Sequence, residues 1–261
     1  MTLVSGTSEA RVDGLATQNP LGPALPALTP HGELALLARM LHREGYDDHL
    51  AGHIAYKQPD GTFLVNPFGL AWDELRAGDV MRIDIDGRVL DGPWTVSPAI
   101  ELHLAIHRRR EDVAVSVHNH PQWGTIWADL HRVPPVYDQT GAMVADDIAL
   151  YGEYEGIVAE ADNARKVAEA IGEARMALLA NHGVMVFGKD IAQAHHRAVV
   201  LEWRCRNAWR VEALGGGIEL KPDQIEEFGR IFDWVAFPHM FEAMARRELR
   251  HDASVLSPDP S

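Results

Sequence analysis

Val115 to Trp123 reads VSVHNHPQW, and strand alternation puts His118 and His120 on one face, because side chains repeat every two residues there. Two imidazoles side by side are half of a site for a divalent ion. Val113, Val115 and Val117 are residues a strand prefers, and Pro121 ends the pairing straight after the second histidine. The pair therefore sits at a strand end. A third histidine, His182, occupies the bend Asn181-His182-Gly183 between the apolar runs of ALLANHGVMVFG. With 14 histidines in the chain, an HxH pair also arises by chance, and its surroundings must decide. The tandem pair His195-His196 reads as solvated or packed rather than ligating.

The elements that must position these residues follow from pattern and punctuation. Thr29-Pro30 opens a helix with Leu34, Leu37, Ala38 and Leu41 on one stripe, ending near Gly45. Gly52–Lys57 and Thr62–Val65 are strand-like runs joined by Pro59-Asp60-Gly61, a hairpin signature. Trp72–Leu75 reads as a helical turn, and Val80–Ile85 as a strand before the turn at Asp86-Gly87. Ile100–Arg109 has helical spacing and delivers the chain to the histidine strand. Helices are expected over Trp123–Leu130 and Asn163–Gly172. After the capping candidate Asp190, a long helix runs to about Leu214, with His195, His196, Arg197, Glu202 and Arg206 on its surface. A last helical segment spans Pro222–Leu249 and is aromatic around Phe228, Phe232, Trp234 and Phe237.

At 261 residues and 46% hydrophobic content, the chain can bury a sizeable core. Its formal charge of −14 repels nucleic acid and anionic lipid, and the one basic cluster, Arg108–Arg110, reads as a helix end. A lone Cys205 rules out an internal disulfide framework and a cysteine zinc cluster, which fits a reducing, cytoplasmic setting. No apolar run is long enough to span a bilayer. Residues 1–29, rich in Ala, Pro, Gly, Thr and Ser, read as a disordered arm; 30–217 reads as one domain and 218–261 as a helical extension and tail.

Three stretches together resemble the class II aldolase/adducin family: AGHIAYK with NPFG, ELHLAIHRRREDVAVSVHNH, and LLANHGVMVFG before a long helix. The resemblance implies an α/β, three-layer α/β/α domain around a central, mainly antiparallel sheet, usually assembled as a homotetramer. It also implies one divalent ion per chain held by His118, His120 and His182. Zinc is the first expectation, but three imidazoles also accept manganese, iron or cobalt. An open fourth position would let a substrate oxygen reach the ion.

Departures from the family's sugar-phosphate aldolases bear on the reaction. Their catalytic glutamate, four residues before the helix histidine matching His103, is Ala99 here. Glu101 could substitute, yet two positions along a helix turn a side chain by about 200°. The residues of the phosphate pocket match Leu50, His53, Phe68 and Pro98, so an anionic phosphate loses most of its donors. The tyrosine supplied by a neighbouring subunit matches Gln139, with Tyr137 close by. These changes resemble the branch of adducin-type domains and metal-dependent decarboxylases. There His53 would donate a hydrogen bond to a substrate carboxylate, or be a buried structural histidine. Leu50, Phe68 and Trp72 could form an apolar wall for a planar substrate, or simply pack. The expected function is a metal-dependent lyase, a decarboxylase of a small hydroxylated aromatic or enol-type carboxylic acid, with Glu101 and His53 as catalytic candidates. The alternatives are an aldolase for an unphosphorylated substrate, an Fe(II)-dependent oxygenase, and a non-catalytic adducin-like binding module.

Overall fold

The computed structural model describes residues 25–154, 156, 160–233 and 240–261. The expected N-terminal arm therefore falls largely outside the described residues. Helix α1 (Pro30–Arg43) starts where the Thr29 hydroxyl accepts from Gly32 N at 3.1 Å, with Pro30 in the first turn, where its missing N–H has no partner to lose. Strand β1 (His53–Lys57) pairs with β2 (Phe63–Val65) across the Pro-Asp-Gly turn, and β3 (Met81–Ile83) and β4 (Val89–Asp91) extend that side. Helix α2 (Glu101–Arg109) leads into β5 (Val115–Asn119), followed by α3 (Gln122–Asp129). Then come β6 (Ile148–Tyr151), α4 (Ala161–Ile171), β7 (Met176–Leu179), β8 (Gly183–Gly188) and the long α5 (Ile191–Ala213). Helices α6 (Pro222–Phe232) and α7 (Met240–His251) follow.

The eight strands form one sheet in the order β4-β3-β2-β1-β5-β8-β7-β6, antiparallel except where β6 runs parallel to β7. Alternation along the central strands assigns each face its helices. Val115, Val117, Val184 and Val186 join Leu37, Trp127, Leu201 and Phe241 from α1, α3, α5 and α7 on one side. Met185 and Phe187 join Leu102, Ile106 and Val167 from α2 and α4 on the other. The result is the three-layer α/β/α arrangement. Segments after 217 share its core, since Phe241, Ala245 and Val255 are buried with α1 and α5. Arg39 also binds Asp252 at 2.7 Å.

The long helix corrects one expectation. His195, His196, Arg197 and Glu202 are buried rather than on its surface, because β8 and β5, α1, α3 and α7 all pack around it. Arg197 bonds to Asp233 at 2.6 and 2.7 Å, pairing the buried charge. The Glu202 carboxylate accepts from Trp123 N and Gly124 N, both at 2.9 Å, and so caps α3 directly after the histidine strand. Burial raises its pKa to about 7. The terminal helical stretch is two helices rather than one, and residues 234–239, with Trp234 and Phe237, lie outside the described residues. Among the described residues, no helix is long and apolar enough to cross a membrane.

Candidate metal centre

Strand β5 ends at Asn119, and Pro121 turns the chain into α3, so His118 and His120 reach the end of the central strands. The β7–β8 turn brings His182 beside them: its N–H bonds to Leu179 O at 3.0 Å, and Asn181 takes the left-handed φ of 54° that Asn tolerates. Gly183 is required by close approach, since a Cβ there would stand 2.6 Å from Asn119 O and 2.5 Å from the His120 ring. The ligand nitrogens of His118, His120 and His182 lie within 4.8 Å of one another.

Two of these rings are held from behind. His118 Nδ1 donates to Val184 O at 3.0 Å, and His120 Nδ1 donates to the Asp48 carboxylate at 2.6 Å. Each bond fixes a tautomer that leaves Nε2 as a lone pair, the arrangement usual behind metal-ligating histidines. Among the described residues, Nε2 of His120 is buried without a partner, a cost that a bound cation would remove. Burial also holds His118 well below the ordinary histidine range and His182 at about 4, so both are neutral, as ligands must be. The donor set therefore fits a divalent ion with an open position. Asp48 was not singled out in the sequence. Burial raises its pKa, but bonds from His49 and His120 outweigh that and keep it lowered, hence ionised.

His53 pairs across the strands with His118, and the two rings are 4.7 Å apart. Its Nδ1 lies 2.8 Å from His103 Nε2 on α2. The preceding Gly52 admits two neighbours no side chain would: its hypothetical Cβ overlaps the Asn119 amide and falls 2.6 Å from the Trp72 ring. Asn66 fastens the start of β1 by accepting from Ile54 N at 2.7 Å and donating to Gly52 O at 3.1 Å.

Other sequence-derived site residues are placed differently. Trp72 is not an open wall: it is 3% exposed, bonded to Gly52 O at 3.2 Å and absorbed in the core. Leu50 and Phe68 are exposed, Leu50 three residues before β1 and Phe68 bridged to Thr95 by a 2.8 Å main-chain bond. Glu101 does not reach the triad. Its carboxylate pairs with Arg108, which also binds Ile85 O at 2.8 Å, while His103 takes the face of α2 turned to the sheet. The roughly 200° between the two positions accounts for this. Tyr137 packs near Gly217, and the adjoining Asp138 binds Trp203 and Asn207, so the segment with Tyr137 and Gln139 lies along α5. Within one chain, no described contact joins either residue to the triad. Tyr154, unremarked in the sequence, stands with its ring 6.5 Å from His182 and lines a small cavity with Tyr151 and Ala180.

The family model described as class II aldolase and adducin N-terminal domain matches residues 32–209. Two Streptomyces proteins are similar to this chain at 26% identity each. One is the 4-hydroxy-3-prenylphenylpyruvate oxygenase/4-hydroxy-3-prenylbenzoate synthase of S. roseochromogenus subsp. oscitans, aligned over 82% of this chain and 80% of that protein. The other is decarboxylase NovR of S. niveus, aligned over 82% and 83%. Among solved structures, the L-fuculose 1-phosphate aldolase from Glaciozyma antarctica PI12 shares the fold with TM-score 0.77, 22% identity and coverage of 97% of this chain and 95% of that chain.

Proposed function

Because this chain belongs to the class II aldolase and adducin family, we propose that it is a divalent-metal-dependent carbon–carbon lyase that decarboxylates a small hydroxylated aromatic or enol-type acid. The observation that carries this reading is a triad with an oriented, buried and unpartnered Nε2 on His120, joined to the absence of any carboxylate at position 99. His118, His120 and His182 would hold the ion, zinc first among those three imidazoles accept, with manganese, iron and cobalt also suited. When bound, the ion supplies a positive charge against which the substrate oxygen's developing charge is stabilised.

The chain's own groups argue for decarboxylation over aldol cleavage. An aldol step uses a base to move a proton, an assistance worth about 10²- to 10⁴-fold, whereas loss of CO2 needs none. Ala99 cannot act as that base, and Glu101 is engaged by Arg108 on the outer side of α2. In decarboxylation, the bond to the carboxylate breaks, its electron pair stays on carbon, CO2 departs and the carbon then takes a proton from a water molecule. Leu50 and Phe68 would offer the ring an apolar surface, with Tyr137 or Gln139 contributed by a neighbouring subunit of a homotetramer. The name of the first Streptomyces relative includes an oxygenase, which favours a second reading, oxygen chemistry at the same histidines, whose imidazoles also accept Fe(II).

Incubating protein loaded with zinc, manganese or iron with hydroxybenzoic and arylpyruvic acids, while following CO2 and dissolved oxygen, separates these readings. CO2 release without oxygen uptake is the expected result. Oxygen consumption would favour the oxygenase, and aldol cleavage without CO2 from any acid would overturn the lyase assignment in its decarboxylase form.

A further inference from the structure

Behind His53 runs a buried chain of hydrogen bonds whose far end is a main-chain carbonyl. His107 Nδ1 lies 3.2 Å from Val113 O, and its Nε2 lies 2.9 Å from Ser116 Oγ. The same hydroxyl lies 2.6 Å from His103 Nδ1, and His103 Nε2 lies 2.8 Å from His53 Nδ1. All four side chains are buried. Their hydrogen-bond partners are other rings, a hydroxyl and a main-chain carbonyl, with no carboxylate among them, and burial disfavours the charged form, so each ring is neutral and carries one proton.

With one proton per ring, the carbonyl sets the direction of every bond. Val113 O can only accept, so His107 carries its proton on Nδ1 and presents a lone pair at Nε2. Ser116 then donates to His107 and accepts from His103 Nδ1. That leaves His103 Nε2 bare, and His53 donates to it from Nδ1. The last position follows: Nε2 of His53 is a lone pair. The reverse order would turn a lone pair toward Val113 O. The carbonyl of Ala55, the smaller of two backbone acceptors acting on His107, is the feature that would favour it.

This inverts the role expected of His53. Its Nε2 has no partner among the described residues, and His53 does not join the three histidines whose ligand nitrogens lie within 4.8 Å of one another. A substrate's bare carboxylate oxygen would meet a lone pair there and be repelled. We propose that the Val113–His107–Ser116–His103 chain fixes His53 as a hydrogen-bond acceptor, and that the site therefore takes acids bearing a hydroxyl that donates to His53 Nε2 beside the metal-binding oxygens. His53 determines specificity, and His103, Ser116 and His107 are positioning residues. The substrate part rests on the lyase reading; the tautomer does not.

Ring nitrogen–proton correlation spectra of the zinc-loaded full chain read the tautomer directly. The His53 proton is expected on Nδ1, shifting substantially to Nε2 in Ser116→Ala and returning in Ser116→Thr; a wild-type proton on Nε2 overturns the proposal. Binding of 2,3-dihydroxybenzoate and 2-hydroxy-3-methoxybenzoate tests the selection, since they differ in whether the third oxygen can donate. The dihydroxy acid is expected to bind at least about tenfold more tightly, since a site built around a donor rejects analogues lacking it. The ratio should shrink in Ser116→Ala, where bulk is unchanged. Equal wild-type affinities, or a ratio indifferent to Ser116→Ala, would overturn it whether or not CO2 is ever released.

Discussion

Replacing His120 with alanine is expected to weaken divalent-ion binding by well over 100-fold and to abolish turnover. The expectation rests on what each ring does in the triad. His120 contributes one of three nitrogens lying within 4.8 Å of one another, and its Nε2 is the orphaned atom that the ion would satisfy. Two imidazoles cannot replace three. A graded control comes from Asp48→Ala, which removes the carboxylate 2.6 Å from His120 Nδ1 and leaves the ligand atom in place. Loss of such an outer partner typically costs about 10- to 100-fold in metal affinity. Competition titrations with a chelator should therefore rank wild type, Asp48→Ala and His120→Ala in that order. Equal affinity in wild type and His120→Ala would remove the triad from the account.

Acid should unfold the metal-free protein between about pH 6.5 and 4, steeply. Four histidines outside the triad and its neighbour are buried and neutral: burial puts His195 at about 3, His107 and His196 at about 4, and His103 well below the ordinary 6.5. A folded pKa below the unfolded one means that only the unfolded chain gains the proton as pH falls through 6.5. Stability present above that value is then lost at about 1.4 kcal/mol per pH unit for each such group. Four acting together offset a typical stability of about 5–15 kcal/mol within a few pH units. Glu202, raised to about 7, works the other way, since the folded state takes its proton first between 7 and 4.5; it is one group against four.

His195 isolates the effect. Both its ring nitrogens are buried without a partner among the described residues, and its ring sits edge-on to Phe241 at 5.9 Å. Substituting His195→Leu should raise stability, and raise it more at pH 5 than at pH 8. Urea melts across this range check both points; a wild-type midpoint indifferent to pH would contradict the burial of these groups in neutral form.

Which parts of this were legible in the sequence follows from how local each signal is. HxH at a strand end and Asn-His-Gly in a tight turn each need only a few neighbouring residues, so the three histidines could be singled out before any fold was known. The glycines beside them carry their reason in three dimensions: Gly183 is set by the His120 ring and Gly52 by Trp72 and Asn119. Asp48 and Ser116 were missed because each acts across the chain. Asp48 meets a ring 72 residues away, and Ser116 matters only once α2 lays His103 and His107 over β5. The rotation along a helix already set Glu101 against His103, and the structure gives that face to Arg108.

Burial was the least legible property. The polar residues of α5 suggested a solvated surface, yet the helix is enclosed on several sides, and its charges are matched by partners such as Asp233 and the α3 N-terminus. Strand β4 is wholly exposed and three residues long, so it offers no alternation to read. Strand β6 lies at the sheet edge and finds its parallel partner only after α4.

X-ray absorption at the zinc edge of the metal-loaded protein addresses the central claim most directly, because it counts imidazoles around the ion without reference to any substrate. Three nitrogen ligands at about 2.0–2.1 Å, with the remaining position filled by oxygen, are the expected result for wild type. A shell without imidazole, or one unchanged in His120→Ala, would contradict the assignment of His118, His120 and His182 as the metal centre.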